Sequence, residues 1–454
     1  MDKRFINSTP ELWGGIECSY NRVQGKYFDQ LEYSAHYSRI VDDIDAFSKL
    51  GITTMRYPVI WERHCPTASS QIDWQLSERG LNALRERNIA PVAGLVHHGS
   101  GPKYADFSSP AFATGLQAFA QRVAEKFPWI EYYTPVNEPL TTARFAGLYG
   151  LWYPHKRNDK AFVTILLNEL KAVVLSMKAI REINPSAKLV QTEDLAKIYS
   201  TPFMAYQAEF ENNRRWLTYD ILCGKLRGGH PLWKYFLKYA PSEKDLMFFV
   251  ENPCAPDILG MDYYATSERF LDERLDRYPP HTHGHNHRHK YADVEAVRVR
   301  INERTGIDTL LREVWQRYQL PMVLTEVHIH CDYNNQIRWF GKIRDACIQL
   351  MKDGIDFRAM TTWAMLGSYG WNRLLTSPGG DYESGAFDVS SAKPQRTPLA
   401  DYLANLSVDA GYRHPVLDEK GWWEEDSRLL FENNPPAELE TSGAPAMKED
   451  CVEL

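Results

Sequence analysis

The sequence predicts a single (β/α)8 barrel with long loops after its strands. Eight short segments rich in β-branched and aromatic residues alternate along the chain with segments of helical hydrophobic period. A minimal barrel needs roughly 250 residues, so a chain of 454 residues has room for long loops, and no shift in composition marks a second domain. We expect residues 1–410 to form the barrel and residues 411–454 to form a C-terminal strap and a flexible acidic tail.

The predicted strands are short runs bounded by Gly, Pro or polar residues. The fourth, which reads EYYTPVNEP, starts with aromatic and β-branched residues and breaks at Pro139, whose ring cannot continue a ladder. The eight predicted strands are Leu12–Ser19, Thr53–Trp61, Ala90–Gly99, Glu131–Pro139, Lys188–Asp194, Asp257–Tyr264, Pro321–Val327 and Phe357–Met365.

Helical periodicity separates these strands. In the first helix Ile40, Ile44, Phe47 and Leu50 fall on one face, and Gly51 ends the pattern. The predicted helices are Ser34–Leu50, Asp73–Arg87, Pro110–Phe127, Lys160–Ile183, Ala205–Leu222 with irregular helix on to Phe249, Val294–Tyr318, Asn334–Lys352 and Thr397–Leu406.

Composition narrows the class of ligand. The 13 Trp and 25 Tyr exceed what a core of this size needs, which indicates stacking on sugars or bases, or simply an aromatic-rich core. The net charge of −7 disfavours a nucleic acid partner. No apolar run approaches the about 18 residues of a membrane span, and the N-terminus has no apolar core of a secretory signal. Seven widely spaced cysteines without a CxxC pair predict reduced thiols in a cytoplasmic protein.

No Gly-rich phosphate loop follows a predicted strand, so we expect no nucleotide cofactor. The sequence does not decide the oligomeric state, and a homo-oligomer is compatible with it.

The ends of the predicted strands carry many groups that could do chemistry. In a parallel barrel the working groups lie at the carboxyl ends of the strands. Reading those ends gives Glu17, Arg56, Trp61, His97, His98, Asn137, Glu138, Glu193, Asp194, Asp262, Tyr263, Tyr264, Glu326, His328 and Trp363.

Two of these carboxylates, Glu138 and Glu326, end the fourth and seventh strands and therefore face each other across the barrel mouth. Hydrolysis of a glycosidic bond needs one carboxylic acid to protonate the leaving oxygen, and a second carboxylate to attack the anomeric carbon or activate water. The pair therefore predicts a glycosidase, retaining if the carboxyls are about 5–5.5 Å apart and inverting at about 6.5–9.5 Å.

The sequence resembles the retaining β-glycosidases of glycoside hydrolase family 1, from about Trp13 to Leu406. TPVNEP is similar to that family's T-x-N-E-P, which implies that Glu138 is the general acid/base and that Asn137 contacts the sugar 2-hydroxyl. VLTEV is similar to the first half of the family's I-T-E-N-G, which implies that Glu326 is the nucleophile.

Four further motifs resemble the family in the same order. MRYPVIWERHCP places Arg56 beside the nucleophile, and GMDYY implies that Tyr264 donates a hydrogen bond to the nucleophile. LVHH suggests that His97 contacts the sugar. WAMLGSYGW implies that Trp363 and Trp371 stack on the glycone, which is the sugar on the anomeric side of the bond that is cut.

Several positions depart from the family pattern. The family has Glu at Gly370, Gln at Asn21, Trp at His98, Asn-Gly at Val327-His328 and Asn at Asp262. Because such positions grip the sugar hydroxyls, we expect a sugar other than an ordinary β-glucoside, or a different way of binding it. Asn21, His98 and Asp262 remain predicted substrate contacts. Glu17 could supply a replacement carboxylate, and the alternative is a buried Glu17 paired with Arg56.

The resemblance implies hydrolysis of a small β-glycoside or oligosaccharide by double displacement, with transglycosylation as a variant that uses the same residues. Arg56 and Tyr264 are expected to keep Glu326 ionised, while burial and that negative charge raise the pKa of Glu138.

Two other classes of function fit parts of the sequence. A metal-dependent hydrolase would need His97-His98 and His328-x-His330 to converge on one ion. A non-catalytic or regulatory carbohydrate-binding barrel fits the altered glycone positions, although such a protein has no need for both carboxylates. The histidine-rich stretch His281–His289 after the sixth strand is interpreted as a solvated flexible loop that picks up metal adventitiously, or as a substrate lid.

Overall fold

The computed structural model describes residues 8–67, 71–391 and 393–431. Eight parallel strands close into a barrel, which confirms the predicted fold class. The barrel strands are β1 (Glu11–Gly15), β2 (Thr54–Pro58), β3 (Ala90–Gly94), β4 (Tyr132–Thr134), β5 (Lys188–Asp194), β6 (Ile258–Tyr263), β7 (Met322–Val327) and β8 (Phe357–Thr362). Each pairs with its neighbours in chain order, and β1 pairs with both β2 and β8.

Helices surround the barrel. Within the described residues the α-helices are Gln30–Tyr33, His36–Ser48, Trp61–His64, Gln75–Glu86, Ala111–Lys126, Pro139–Ala143, Asp159–Ile183, Ala205–Arg214, Leu217–Leu222, Trp233–Tyr239, Glu243–Glu251, Ile307–Tyr318, Tyr333–Lys352 and Pro398–Val408, with one π-helical turn at Arg144–Leu148. Their apolar faces pack on the strands; in His36–Ser48, for example, Ile40, Ile44 and Phe47 are fully buried. No helix in this part of the chain combines the length and apolarity needed to cross a membrane.

Apolar side chains fill the amino-terminal end of the barrel interior. They come from six different strands and form one cluster: Trp13, Val92, Val190, Ile258, Val323 and Ala359. Because this layer is packed, the open end of the barrel is at the carboxyl ends of the strands, where polar side chains are brought together.

The loops after β5 and β6 build a small second sheet of four strands, Lys197–Ser200, Glu268–Asp272, Lys290–Glu295 and His283–His285. This corrects two expectations. The predicted helix Val294–Tyr318 begins only at Ile307, because Lys290–Glu295 pairs with Glu268–Asp272. The histidine-rich stretch is a hairpin arm in this sheet rather than a flexible loop, and Nε2 of His283 lies 2.9 Å from the Tyr278 carbonyl.

Shorter strands form three hairpins at the rim. They are Tyr20–Val23 with Lys26–Asp29, Ser368–Tyr369 with Tyr382–Glu383, and Phe387–Asp388 with Gln395–Arg396. The first carries Asn21 directly after β1, and the second leads β8 into the loop that carries Trp371.

Beyond the last helix, 3-10 turns at Pro415–Asp418, Trp422–Glu424 and Asp426–Arg428 pack along the barrel. The Trp423 ring meets Trp339 of the helix Tyr333–Lys352 edge-on at 4.9 Å. The division at residue 411 stays a prediction, and residues 432–454, predicted as a flexible acidic tail, lie outside the described residues.

Candidate active site

Glu138 stands at the corner between β4 and the helix Pro139–Ala143. Its backbone is left-handed, with φ 43° and ψ 61°, a conformation that costs a residue with a Cβ roughly 1–2 kcal/mol. Its carboxyl is buried, with 5% of the residue exposed, and Oε2 lies 3.5 Å from Nε2 of His98. A buried acid held at a strained corner is typical of a functional position.

Glu326 lies on β7 and is held by two donors. Arg56 Nη1 donates to Glu326 Oε1 at 2.7 Å and to the Thr325 carbonyl at 2.9 Å. The Tyr264 hydroxyl donates to Glu326 Oε2. Both carboxylate oxygens are therefore bonded although only 3% of the residue is exposed, an arrangement that favours the ionised form.

Asn137 connects the two halves of the site. Its Oδ1 accepts from Arg56 Nη2 at 2.5 Å and from Thr192 Oγ1 at 2.8 Å. Its Nδ2 donates to His97 Nε2 at 3.2 Å. These bonds fix the amide next to Glu138 and tie the ends of β2, β3, β4 and β5 together.

The electrostatics separate the roles of the two glutamates. Burial, then Asp262 and Glu326, raises the pKa of Glu138 well above its usual range. Burial and Asp262 also raise the pKa of Glu326 well above its usual range, and Arg56 and the Tyr264 hydroxyl, which stabilise its ionised form, offset only part of this rise. Glu138 has no such pair of donors, so its surroundings favour the protonated form more than those of Glu326 do.

His98 is held as a neutral ring. Its Nδ1 lies 3.0 Å from Thr142 Oγ1, and burial, then Arg56, lowers the pKa of His98 to about 3. The edge of a neutral imidazole therefore faces Glu138, where it can share a hydrogen bond with a substrate.

Trp363 forms one wall of the site. Its ring stacks on His97 at 5.4 Å with an interplanar angle of 9°, and its Nε1 donates to Glu17 Oε2 at 3.3 Å. Glu17 Oε1 in turn accepts from the backbone and hydroxyl of Ser19 at 2.8 and 2.5 Å. The carboxylate of Glu17 thus orients Trp363. Of the two alternatives for Glu17, the ion pair with Arg56 is not observed among the described residues.

Asn21 and Trp371 lie where the loop after β8 crosses the rim. Asn21 Nδ2 donates to the Leu375 carbonyl at 3.2 Å, and the Trp371 ring lies 5.6 Å from His98. Gly370, at the family's Glu position, has φ 76°, and a Cβ there would lie 2.5 Å from the Gly379 carbonyl. The backbone of this loop therefore leaves no place for a glutamate side chain.

Asp262 lies between the two glutamates on β6. Thr325 Oγ1 donates to Asp262 Oδ1 at 2.6 Å, and Arg56 Nη1 is 3.9 Å from the same oxygen. Thr192 and Thr325, which support Asn137 and Asp262, were not predicted. A signal was available for Thr192, which lies two residues before Asp194 and therefore on the same face of β5. The sequence offered no such signal for Thr325, which directly precedes Glu326.

Other strand-end residues lie apart from this group. Glu193 faces the surrounding helices, where Oε2 accepts from Leu140 N at 2.8 Å and from Thr218 Oγ1 at 2.6 Å. His328 is 3.5 Å from Glu383, and His330 is exposed. Among the residues the structure describes, no three His, Cys, Asp or Glu side chains are grouped as metal ligands, so the geometry gives the metal-dependent alternative no support.

Comparison with known proteins agrees with this geometry. The model of glycosyl hydrolase family 1 matches residues 20–377. A phospho-cellobiase from Klebsiella oxytoca is 21% identical over 359 residues, covering 72% of this chain and 75% of the relative. Beta-glucosidase A from Thermotoga maritima is 22% identical over 255 residues, covering 51% of this chain and 54% of the relative.

The fold agrees as well. The family 1 β-glucosidase structure from Thermotoga maritima superposes with a TM-score of 0.71 at 19% identity, covering 89% of this chain and 99% of that one. With the family model matched over most of its length, this chain belongs to glycosyl hydrolase family 1.

Proposed function

We propose that Glu138 and Glu326 carry out the hydrolysis of β-glycosidic bonds by this family member, through a double displacement that retains anomeric configuration. The observation that carries the proposal is the unequal environment of two buried glutamates at one barrel mouth. Arg56 and Tyr264 bond Glu326, while Glu138 lies among carboxylates that favour its protonated form.

In the first step a carboxylate oxygen of Glu326 attacks the anomeric carbon. The bond from that carbon to the aglycone oxygen breaks as Glu138 delivers its proton to this oxygen. In the second step water attacks the anomeric carbon, and the bond to Glu326 breaks, which returns the electron pair to the carboxylate. Glu138 accepts the proton of the water and regains its starting state.

The glycone is proposed to lie against Trp363, with His97, His98, Asn137 and Asp262 around it. The indole supplies an apolar face, and the ring nitrogens and amide supply hydrogen bonds for hydroxyl groups. Asn21 and Trp371 are proposed to contact the sugar at the rim, and Glu17 is proposed to act through Trp363; their positions in the loop after β8 and beside Trp363 support this.

The substrate is a small-molecule carbohydrate. The printed names of the relatives include β-glucosidases and phospho-β-glucosidases, so the first panel should contain aryl β-glycosides of several sugars together with aryl 6-phospho-β-glucosides. The six cysteines within the described residues are all unpaired, which supports a reducing, cytoplasmic location that fractionation of cells would test. Self-association of the chain stays a prediction, which light scattering would test.

The decisive experiment uses Glu326→Gln and Glu138→Gln on the best substrate of the panel. Each should lower kcat by about a thousandfold or more. A 2-deoxy-2-fluoro glycoside of the same sugar should label Glu326, found by peptide mass spectrometry, and NMR should show the β-anomer as the first product. Full activity of Glu326→Gln, or an α-anomer as first product, would overturn the proposal.

Glu169→Gln is the matched control. Glu169 is a fully buried glutamate in the helix Asp159–Ile183, and burial raises its pKa well above the usual range. Gln therefore resembles the neutral acid that already stands there, and kcat should stay at the wild-type value.

A further inference from the structure

A cavity apart from the catalytic group opens near the rim of the barrel. Its volume is about 330 Å³, and it is lined by Arg298, His330, Trp422, Ser427 and Arg428. Within the described residues no aspartate or glutamate lines this cavity, although the whole chain has a net charge of −7. A cleft lined by charges of one sign attracts ligands of the opposite sign, so the lining favours an anion.

Three separate parts of the chain meet at this cavity. Arg298 lies in the loop between β6 and the next barrel helix, and His330 lies in the loop after β7. The C-terminal turns Trp422–Glu424 and Asp426–Arg428 supply the rest of the lining. Because two of these parts are loops at the carboxyl ends of barrel strands, the cavity lies on the same face of the barrel as the candidate active site.

Hydrogen bonds attach the C-terminal turns to both loops. Arg428 Nη1 donates to the carbonyl oxygens of Val297 and Val299 at 2.6 and 3.2 Å. The backbone N–H of Trp422 donates to Asn335 Oδ1 at 3.4 Å, near the start of the helix that follows β7. These bonds hold the three parts of the lining together.

Neither arginine of the lining is neutralised by a carboxylate within the described residues. The Arg298 guanidinium lies over the Trp422 ring, 4.1 Å from the ring centroid, and it forms no hydrogen bond to the part of the chain that the structure describes. Arg428 bonds only to carbonyl oxygens there, through one of its nitrogens. Both guanidinium groups therefore have N–H donors left for a ligand.

The lack of a partner distinguishes Arg298 from another arginine beside the second sheet. Arg269 pairs with Asp293 at 2.8 Å. Burial lowers the pKa of Arg298, and Glu295 opposes this only in part. A partly buried cation without a carboxylate partner gains from binding an anion, because the anion replaces water that the guanidinium has lost.

The proposed nucleophile is close to this cavity along the chain. Glu326 lies four residues before His330, so the Cα atoms of these residues are at most about 14 Å apart. The proposed glycone contacts Asn21, His97 and Trp371 follow β1, β3 and β8, and none of them lines the cavity. The part of a substrate that can reach the cavity is therefore the leaving group.

We propose that this cavity binds an anionic group on the leaving group of the substrate, so that the natural substrate is a β-glycoside whose aglycone carries a carboxylate or a phosphate. The proposal rests on the function proposed above for Glu138 and Glu326. Arg298 meets the anion with the free edge of its guanidinium, which Trp422 holds in place by stacking. Arg428 adds a second positive charge while it bonds the backbone.

The test compares charged and neutral leaving groups of the same shape. For the sugar that the panel identifies, the 4-carboxyphenyl β-glycoside is paired with the 4-carbamoylphenyl β-glycoside, and a second pair has a biphenyl in place of the phenyl ring. The readout is the ratio of kcat/KM for the carboxylate to kcat/KM for the amide. The intrinsic reactivity of the leaving groups is the same for every variant, so a change in this ratio reports on the protein.

Arg298→Gln should lower the ratio by about fivefold for at least one pair, which corresponds to the upper end for a partly exposed ion pair. Arg298→Lys keeps the charge and should retain a larger part of the ratio. Because one preparation cleaves both substrates, a partly unfolded variant leaves the ratio unaffected. An unchanged ratio in Arg298→Gln for both pairs, or a ratio in Arg298→Lys no higher than that in Arg298→Gln, overturns the proposal.

Arg85→Gln is the matched control. The Arg85 guanidinium also lies over an indole, 5.2 Å from the centroid of Trp129, but on the helix Gln75–Glu86 outside the barrel. This variant removes the same charge from the chain and should leave the ratio at the wild-type value. An equal fall in Arg85→Gln and Arg298→Gln would show an effect of net charge and would overturn the proposal.

The indole 1H–15N NMR signal of Trp422 gives a readout that does not need turnover. In protein labelled with 15N-tryptophan, Trp422→Phe identifies this signal. 4-Hydroxybenzoate should shift the signal, 4-hydroxybenzamide should not, and Arg298→Gln should abolish the shift; a signal that 4-hydroxybenzoate leaves in place contradicts the proposal.

Inorganic phosphate separates a free anion from one that the substrate carries. If phosphate shifts the Trp422 signal while the ratio of kcat/KM is the same in wild type and Arg298→Gln, the cavity takes a free anion and the proposal is overturned. Failure of the proposed function is recognised separately, since wild type would then cleave no glycoside of the panel while the shift with 4-hydroxybenzoate still reports on the cavity.

Discussion

Replacing Tyr264 by Phe removes a single hydroxyl, the one that donates to Oε2 of Glu326. This hydrogen bond lowers the pKa of the Glu326 carboxyl. A hydrogen bond to a charged group contributes about 1.5–3 kcal/mol, which corresponds to about one to two units of pKa. Without it, Glu326 should ionise at higher pH, and the acid limb of kcat/KM should rise by that amount.

The assay is the pH dependence of kcat/KM on an aryl glycoside that wild type cleaves. At pH values below the acid limb, kcat/KM of the variant should be lower by about 10- to 150-fold, because the ionised fraction of Glu326 is smaller by that factor. On the plateau the loss should be much smaller. An acid limb at the wild-type position would refute the reasoning that Tyr264 stabilises the ionised nucleophile.

The neighbouring residue supplies the control. Tyr263 points to the other side of β6, where its hydroxyl donates to Glu268 Oε2 at 2.9 Å and its ring stacks on Trp339 at 5.4 Å. Tyr263→Phe should cost about 1 kcal/mol of stability and leave both pH limbs in place.

Two further predictions concern stability. Burial raises the pKa of Glu62 to about 7, so the native state binds more protons than the unfolded chain and the free energy of unfolding falls as pH rises from about 4.5 to about 7. In urea unfolding, the free energy of unfolding of Glu62→Gln should therefore fall by about 3 kcal/mol less than that of wild type between pH 5 and pH 8. An equal fall in the two proteins would contradict this. Gly15→Ala puts a Cβ 2.5 Å from Trp363 Cε3, and we expect it to lower the free energy of unfolding by about 1–3 kcal/mol in the same assay and to raise KM. Gly284→Ala is the control: the atom nearest to its added Cβ would be 3.8 Å away, so neither quantity should change.

Local patterns were sufficient for most of the barrel. The predicted strand Lys188–Asp194 has the observed bounds, and the long helix predicted at Lys160–Ile183 is observed at Asp159–Ile183. The helix predicted at Ala205–Leu222 is two helices, Ala205–Arg214 and Leu217–Leu222. Prediction failed where a partner strand decides the structure, as in Lys290–Glu295, because a pairing with a distant segment is not visible in the local pattern.

The sequence by itself determined the barrel, the family and the two glutamates, because hydrophobic period and motif spacing are properties of short segments. The tertiary structure decided what surrounds those glutamates. Glu17 accepts a hydrogen bond from Trp363 rather than pairing with Arg56, and Asp262 accepts one from Thr325, which lies 63 positions later in the sequence. Whether a carboxylate is ionised depends on burial and on the donors within a few ångströms, and only the folded chain brings those donors into place.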